Sequence, residues 1–175
     1  YNKSPWTHDD VSNRTYFEIT FIPGLKWRTN FSVDFYQYNY DGYVNSEYGF
    51  AAGYKGSAYK ESDRNLSYTI NNLVTYEKSF GDHSLSVLLG QEAYALEYKL
   101  LSAEKQGFPG VTEIGSAAVM SSMNSYTDKY RLLSWLSRVE YDYKDRYYIS
   151  GSFRTDGSSR FHPDNRWGQF WSLGG

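Results

Sequence analysis

The chain has 175 residues, enough for one ordinary domain, and its 18 basic and 20 acidic residues leave a formal net charge of −2. That balance gives no electrostatic basis for nucleic acid as a partner, and the absence of cysteine excludes a disulfide framework and a thiolate metal site. Aromatic residues make up 19% of the chain beside a mean hydropathy of −0.67, and no stretch approaches the roughly 20 consecutive apolar residues of a transmembrane helix.

Low mean hydropathy is compatible with a membrane barrel, because only alternate residues of each strand meet lipid. The opening Tyr1-Asn2-Lys3-Ser4-Pro5 lacks the basic and apolar regions of a signal peptide. The chain is therefore expected to start mid-protein or after processing.

Residues 16–22 alternate, with Phe17, Ile19 and Phe21 opposite Glu18 and Thr20, which predicts a two-faced strand. Pro23-Gly24 predicts a tight turn. From Lys26 to Asn39 the alternation sets Trp27, Phe31, Val33 and Phe35 against Arg28, Asn30, Ser32 and Asp34, over more residues than the roughly 9 to 11 that a tilted membrane strand needs. Residues 40–63 lose the period and predict a long loop. A third strand is expected from Arg64 to Glu77, with Leu66, Tyr68, Ile70 and Val74 on its apolar face and Asn72 breaking the pattern. After a short turn at Ser79-Phe80-Gly81-Asp82, a fourth strand runs from His83 to about Leu101.

Residues Ser102 to Asp128, with Gly107-Phe108-Pro109-Gly110 among them, predict a second long loop. A fifth strand, Lys129 to Tyr143, sets Leu133, Trp135, Val139 and Tyr141 against Ser134, Arg138 and Glu140. A very short turn at Lys144-Asp145 leads to a sixth strand, Arg146 to Asp156, and a medium loop leads to a seventh near Gln169, inside which the chain is expected to stop.

Short turns thus fall at one end of the sheet and long loops at the other, as in outer-membrane barrels. Phe21, Trp27, Tyr76, Tyr141 and Tyr147 gather beside the short turns, as an interfacial girdle would. The fold expected is all-β: an antiparallel transmembrane β-barrel wall segment of about six complete strands plus part of a seventh. Two unpaired edges would keep this piece from closing alone. A soluble β-sandwich would show the same period with its apolar face turned inward.

The segment RVEYDYKDRYYISGSFRTDGSSRFHPDNRWGQF, from Arg138, closely resembles a signature stretch of SusC/RagA-family TonB-linked outer-membrane proteins. The resemblance rests on Lys144 to Tyr147, on Arg154 to Phe161 and on Asn165 to Gly168, with weaker echoes in Ile22 to Trp27 and His83 to Glu92. His162 stands where relatives often carry Gly, a difference that bears on the loop alone. The resemblance implies a larger, plugged barrel of about 22 strands in the bacterial outer membrane. All of 1–175 would belong to its barrel domain, with the plug and the TonB box outside this chain. It also implies nutrient import, of glycan oligosaccharides or peptides, with a SusD-like surface lipoprotein, TonB-ExbB-ExbD energy transduction through the plug, and outer-membrane lipid as partners. The competing functions are a soluble aromatic-rich β-domain that binds glycans or surfaces, and a simple porin of fewer strands.

No nucleophile elbow, phosphate-binding loop or dinucleotide fingerprint occurs, so no catalytic residue and no cofactor is expected. His8, His83 and His162 lie too far apart to suggest metal ligation, and Asp41, Glu47, Glu61 and Asp63 are expected to be solvated loop charges. Within the tyrosine-rich stretch Tyr40, Tyr43, Tyr48 and Tyr54 are the candidates for substrate contact, since their rings and hydroxyls suit carbohydrate or peptide, although the same rings could pack loops together. The family-motif residues Arg154, Asp156, Gly157, Ser158, Ser159, Arg160, Phe161, Asn165, Arg166, Trp167 and Gly168 are expected to be structural. Arg154 and Asp156, two apart on a strand, would share the lumen face.

Overall fold

The computed structural model describes residues 2–108 and 113–175. These form a seven-stranded antiparallel sheet in simple chain order, with β1 and β7 as its end strands. The strands are β1 (Trp6–Ile22), β2 (Leu25–Val44), β3 (Ser57–Phe80), β4 (His83–Gln106), β5 (Val119–Tyr143), β6 (Tyr147–Ser158) and β7 (Trp167–Gly174). Three short 3₁₀ turns, Ala52–Tyr54, Ile114–Ser116 and Pro163–Asn165, lie in the longer connections. No helix among the described residues is long and apolar enough to cross a membrane, which says nothing of strands.

The expected strands and turns are present, but several strands run further than their alternation. β1 begins at Trp6, β2 continues to Val44, β3 starts at Ser57, β4 reaches Gln106 and β5 starts at Val119. The two long loops therefore shrink to 45–56 and 107–118. Pro109 and Gly110 lie outside the described residues. β2 to β5 hold 20 to 25 residues each, against the roughly 9 to 11 needed to cross a bilayer.

Two compact units divide the chain. One comprises Tyr1–Ser12, Asp34–Leu66 and Glu97–Lys129 and contains the two longest connections; the other comprises Asn13–Val33, Ser67–Leu96 and Tyr130–Gly175 and contains the short turns.

In the unit with the short turns the period of two is clearest in β5 and β6. Leu133, Trp135, Val139 and Tyr141 of β5 pair with Gly157, Thr155, Gly151 and Ile149 of β6 on one face, and Arg138 and Glu140 pair with Ser152 and Ser150 on the other. β7 continues both rows, with Trp171 opposite Phe153 and Ser172 opposite Ser152. The apolar face is open. Leu89 is 53% exposed, Trp135 52%, Val139 45% and Trp171 75%. Among the described residues of the whole chain only Ala51, Ala58, Phe108 and Ala117 are buried apolar side chains. A soluble sandwich would bury such a face in a core about 10 Å thick, so lipid is the solvent that suits it.

Asn72, the break in the third strand's pattern, is held on both sides: Thr29 Oγ1 donates to its Oδ1 at 2.7 Å, and its Nδ2 donates to Gln91 Oε1 at 3.0 Å. Three polar groups on an apolar face thus satisfy one another. Beside the turns His83 stacks on Phe80 at 5.2 Å, lies 4.8 Å from Tyr143, and shares a 2.6 Å hydrogen bond with the Tyr141 hydroxyl. Of the aromatic row expected beside the short turns, Tyr141 belongs to this cluster, and Phe80, His83 and Tyr143 join it.

The short turns are chemically explicit. Lys144 and Asp145 both have positive φ, 56° and 51°, and Arg146 N donates to Tyr143 O at 3.2 Å. That is a type I′ hairpin, whose twist matches the strands. Asp142 Oδ1 accepts from Asp145 N at 3.1 Å and offsets part of the left-handed cost.

Candidate functional site

In the unit that carries the longest connections, tyrosines and carboxylates from four strands converge. Residues of one parity share a strand face, and β3 presents Tyr59, Glu61 and Asp63 on the same face as Asn71. The Tyr59 ring lies 6.0 Å from that of Tyr40, and its hydroxyl donates to the Glu61 carboxylate. The Tyr98 ring of β4 lies 5.7 Å from that of Tyr126 of β5, and its hydroxyl is hydrogen-bonded to both Tyr126 and Asp63. Asp63 Oδ1 is shut off from solvent without a hydrogen-bond partner.

These groups lie beyond the clearly alternating stretches, and their ionisation is shifted. Burial, followed by the Glu61 charge, raises the Asp63 carboxyl above its ordinary value. Burial, followed by the Tyr126 hydrogen bond, pushes Tyr98 up to about 12, and the Glu61 hydrogen bond raises Tyr59. At neutral pH the cluster therefore offers neutral phenols beside carboxylate oxygens, a mixture of donors, acceptors and ring faces. Glu61 and Asp63 are strand residues in this cluster, not solvated loop charges; β3 starts at Ser57 and carries them with it.

The four tyrosines singled out from the sequence have different surroundings. Tyr40 is a β2 residue that meets Tyr59. Tyr43, also in β2, packs edge-on against Phe108 at 5.6 Å, beside the small apolar cluster of Ala58, Phe108 and Ala117. Tyr48 is 75% exposed in the first connection, and Tyr54 ends its 3₁₀ turn. Tyr98 and Tyr126 escaped sequence reasoning, because their strand segments were expected to be loop or loop-proximal and only cross-strand register brings them to Asp63.

On the outer side of the same unit, Glu97 receives Lys99 Nζ at 2.6 Å and Lys129 Nζ at 3.0 Å. Lys99 and then Lys129 hold its carboxyl down from 4.5 to about 2. A depressed carboxyl contributes stability that is fully present above its unfolded value of 4.5 and is lost as pH falls through about 2. Hydrogen exchange of the intact protein, corrected for the intrinsic amide rate at each pH, is thus expected to rise around Glu97 and Lys129 between pH 5 and pH 2. With Glu97→Gln that acid-induced rise should disappear; an identical rise in both proteins would refute the linkage.

The family motif forms a second constellation, in the unit with the short turns. Arg154 Nε donates to both Asp156 carboxylate oxygens at 2.8 and 2.9 Å, its guanidinium also donates to Ser134 Oγ at 3.2 Å, and Glu92 lies 3.7 Å away. Ser134 is 2% exposed. Gly157 leaves room for the Trp167 ring, whose atoms come within 2.9 Å of where a Cβ would stand. Ser158 N donates to Arg166 O, and Ser159 and Arg131 exchange two bonds of 2.9 Å. The Arg160 guanidinium lies over the Tyr130 ring at 5.2 Å, Asn165 N donates to His162 O, Phe161 is exposed, and Gly168 lies beside the Phe170 ring. Nearly every motif residue has a partner within the fold, so the motif shapes the β6–β7 connection and a polar face. Among the described residues no group of three or more His, Asp or Glu side chains is placed to hold a metal.

No family model matches the chain. It is 31% identical over 162 residues to the TonB-dependent receptor SusC of Bacteroides thetaiotaomicron, covering 90% of this chain and 16% of that protein. It is 30% identical over 160 residues to the TonB-dependent receptor P3 of Formosa agariphila, covering 89% of this chain and 16% of that protein. The chain thus spans about a sixth of the length of these relatives. Among solved structures it superposes on the RagAB peptide transporter with a TM-score of 0.89, at 24% identity, over 97% of this chain and 20% of that one. On BauA, the ferric preacinetobactin receptor from Acinetobacter baumannii, the TM-score is 0.54 at 10% identity, over 97% and 28% of the two chains. An all-β sheet with one lipid-suited face, matched over nearly its whole length by these receptors, makes this chain a stretch of barrel wall that belongs to the SusC/RagA family of TonB-dependent receptors.

Proposed function

We propose that the intact protein imports a nutrient across the bacterial outer membrane, as the barrel of a TonB-dependent SusCD-type complex. All of residues 1–175 belong to its barrel domain, while the plug and the TonB-contacting segment lie outside this chain. A SusD-like surface lipoprotein covers the mouth, and TonB-ExbB-ExbD supplies the energy through the plug. The observation that carries the reading is the two-faced sheet, apolar and exposed on one side, hydrogen-bonded and charged on the other. The likeness to receptors supports a transport role and no enzymatic one.

The substrate is an oligosaccharide or a peptide, met by Tyr40, Tyr59, Tyr98 and Tyr126 with Glu61 and Asp63. Neutral phenols and carboxylates suit the hydroxyls and amides of such oligomers, and ring faces suit their apolar edges. Loss of one well-packed tyrosine contact costs about tenfold in affinity. Tyr40→Ala and Tyr98→Ala in the intact receptor are thus each expected to weaken uptake of labelled oligosaccharide or peptide pools about tenfold at limiting concentration, with unchanged receptor abundance. Unchanged uptake of both pools by both variants would remove this cluster from substrate contact; whichever pool responds identifies the substrate.

A further inference from the structure

We propose that the apolar face of the unit with the short turns holds an anionic phospholipid in a built groove opened by Ala93 and Ala95, the phosphate meeting Arg131 and Arg166 and one acyl chain passing Leu133 into the bilayer. The inference rests on the membrane reading above, and adds to it a defined lipid site.

The groove has a volume of about 670 Å³. Ala93 and Ala95 are small residues among large ones, with Tyr68 and Ile70 of β3 and Trp167 of β7 also lining it. Gly157 lets the Trp167 ring lie close against the sheet, where it forms one wall of the groove. A channel lined by aliphatic and aromatic carbon suits a hydrocarbon chain, which a free phosphate ion would not fill.

Two arginines line this otherwise apolar channel. Arg131 is fixed by its paired 2.9 Å bonds with Ser159. Arg28, Arg138 and Arg154 each have a carboxylate partner, whereas no ion pair joins Arg131 or Arg166 among the described residues. The Arg166 Nε is buried and has no hydrogen-bond partner. A guanidinium is built for two-pronged contact with phosphate oxygens, and a lipid head group would supply them. The depth agrees: Arg131 lies just beyond the roughly 9 to 11 residues that β5 needs to cross from Tyr143, and Tyr68 and Trp167 are aromatics of the kind that settle at that boundary.

The test uses the intact receptor, extracted in mild detergent and titrated with phosphatidylglycerol or with phosphatidylcholine of identical chains, with bound lipid counted by native mass spectrometry. Two interfacial arginines give the anionic lipid an advantage of about tenfold or more. Arg131→Gln should bring phosphatidylglycerol down to the phosphatidylcholine level, and Ala95→Trp or Ala93→Phe should weaken both lipids. Arg138→Gln, on the opposite face, should change neither. Heat-modifiable electrophoretic mobility verifies that each variant is a folded barrel. Equal binding of the two lipids by a folded wild-type barrel, or indifference to Arg131→Gln, overturns the lipid site alone. A receptor that stays soluble without detergent overturns both the site and the membrane reading beneath it.

Discussion

Gly24→Ala is expected to prevent most of the intact receptor from assembling as a folded barrel. Gly24 has φ of 87°, and a Cβ there would stand 2.0 Å from the Glu77 carbonyl oxygen. That oxygen belongs to the backbone, and the neighbouring Glu77 N donates to Gly24 O at 2.9 Å, so neither strand can step back without losing the pairing. Left-handed strain alone costs about 1 to 3 kcal/mol in a non-glycine residue. The clash adds to it, and a total of about 3 kcal/mol or more is a large part of a marginal stability. Gly81→Asn provides the control. Gly81 has φ of 62° with open space where the Cβ would go, and Asn tolerates that region. The heat-modifiable fraction in outer membranes should fall sharply for Gly24→Ala and hold for Gly81→Asn. Equal fractions would mean that the first hairpin does not pack against β3 as described.

The second large effect separates the two solvents of the sheet. Leu89→Arg and Val139→Arg place a charge on the exposed apolar face, where a lipid environment makes arginine cost about 2 to 4 kcal/mol near the bilayer centre. On a water-exposed face the same changes would fall within about 0.5 kcal/mol. Ser152→Arg, on the opposite face where Ser152 bonds Ser172 at 2.7 Å, is expected to cost about 1 kcal/mol or less. Urea unfolding of the intact receptor in lipid vesicles gives the three values. Near-neutral Leu89→Arg and Val139→Arg would remove lipid from this face.

The sequence is most legible where the two faces meet different solvents. Trp135, Val139 and Tyr141 alternate with Ser134, Arg138 and Glu140 on opposite faces of the sheet, as lipid on one side and a hydrated interior on the other would require under the proposed function, and these elements were placed correctly. Trp6 to Thr15 and Val119 to Asp128 are strand as well, yet both faces there suit water and the period vanishes. Hydrogen bonding continues where patterning stops, so the strands looked shorter and the loops longer than they are. The tight turns were readable because Gly24, and the Lys144-Asp145 pair with its supporting Asp142, carry their own backbone chemistry.

The tyrosine and carboxylate cluster needed more than pattern. Tyr59, Asp63, Tyr98 and Tyr126 come from three strands, and their meeting depends on register. Counting outward equally from Gly81-Asp82 would have brought Asp63 to within two positions of Tyr98, so the signal was present in the turn and not in local composition. The Arg154 fork shows the opposite case, because an Arg and an Asp two apart on one strand share a face whatever surrounds them.

The central claim is that successive residues of one strand face lipid and water in turn, and β6 tests it most directly. Single spin labels placed at Gly151, Ser152, Phe153 and Arg154 of the intact receptor in lipid vesicles would report collision with oxygen, which concentrates in lipid, and with a water-soluble nickel chelate. The account predicts oxygen access at 151 and 153 and nickel access at 152 and 154, a strict period of two. Labels that collide with nickel alike at all four positions would contradict it and return the sheet to water.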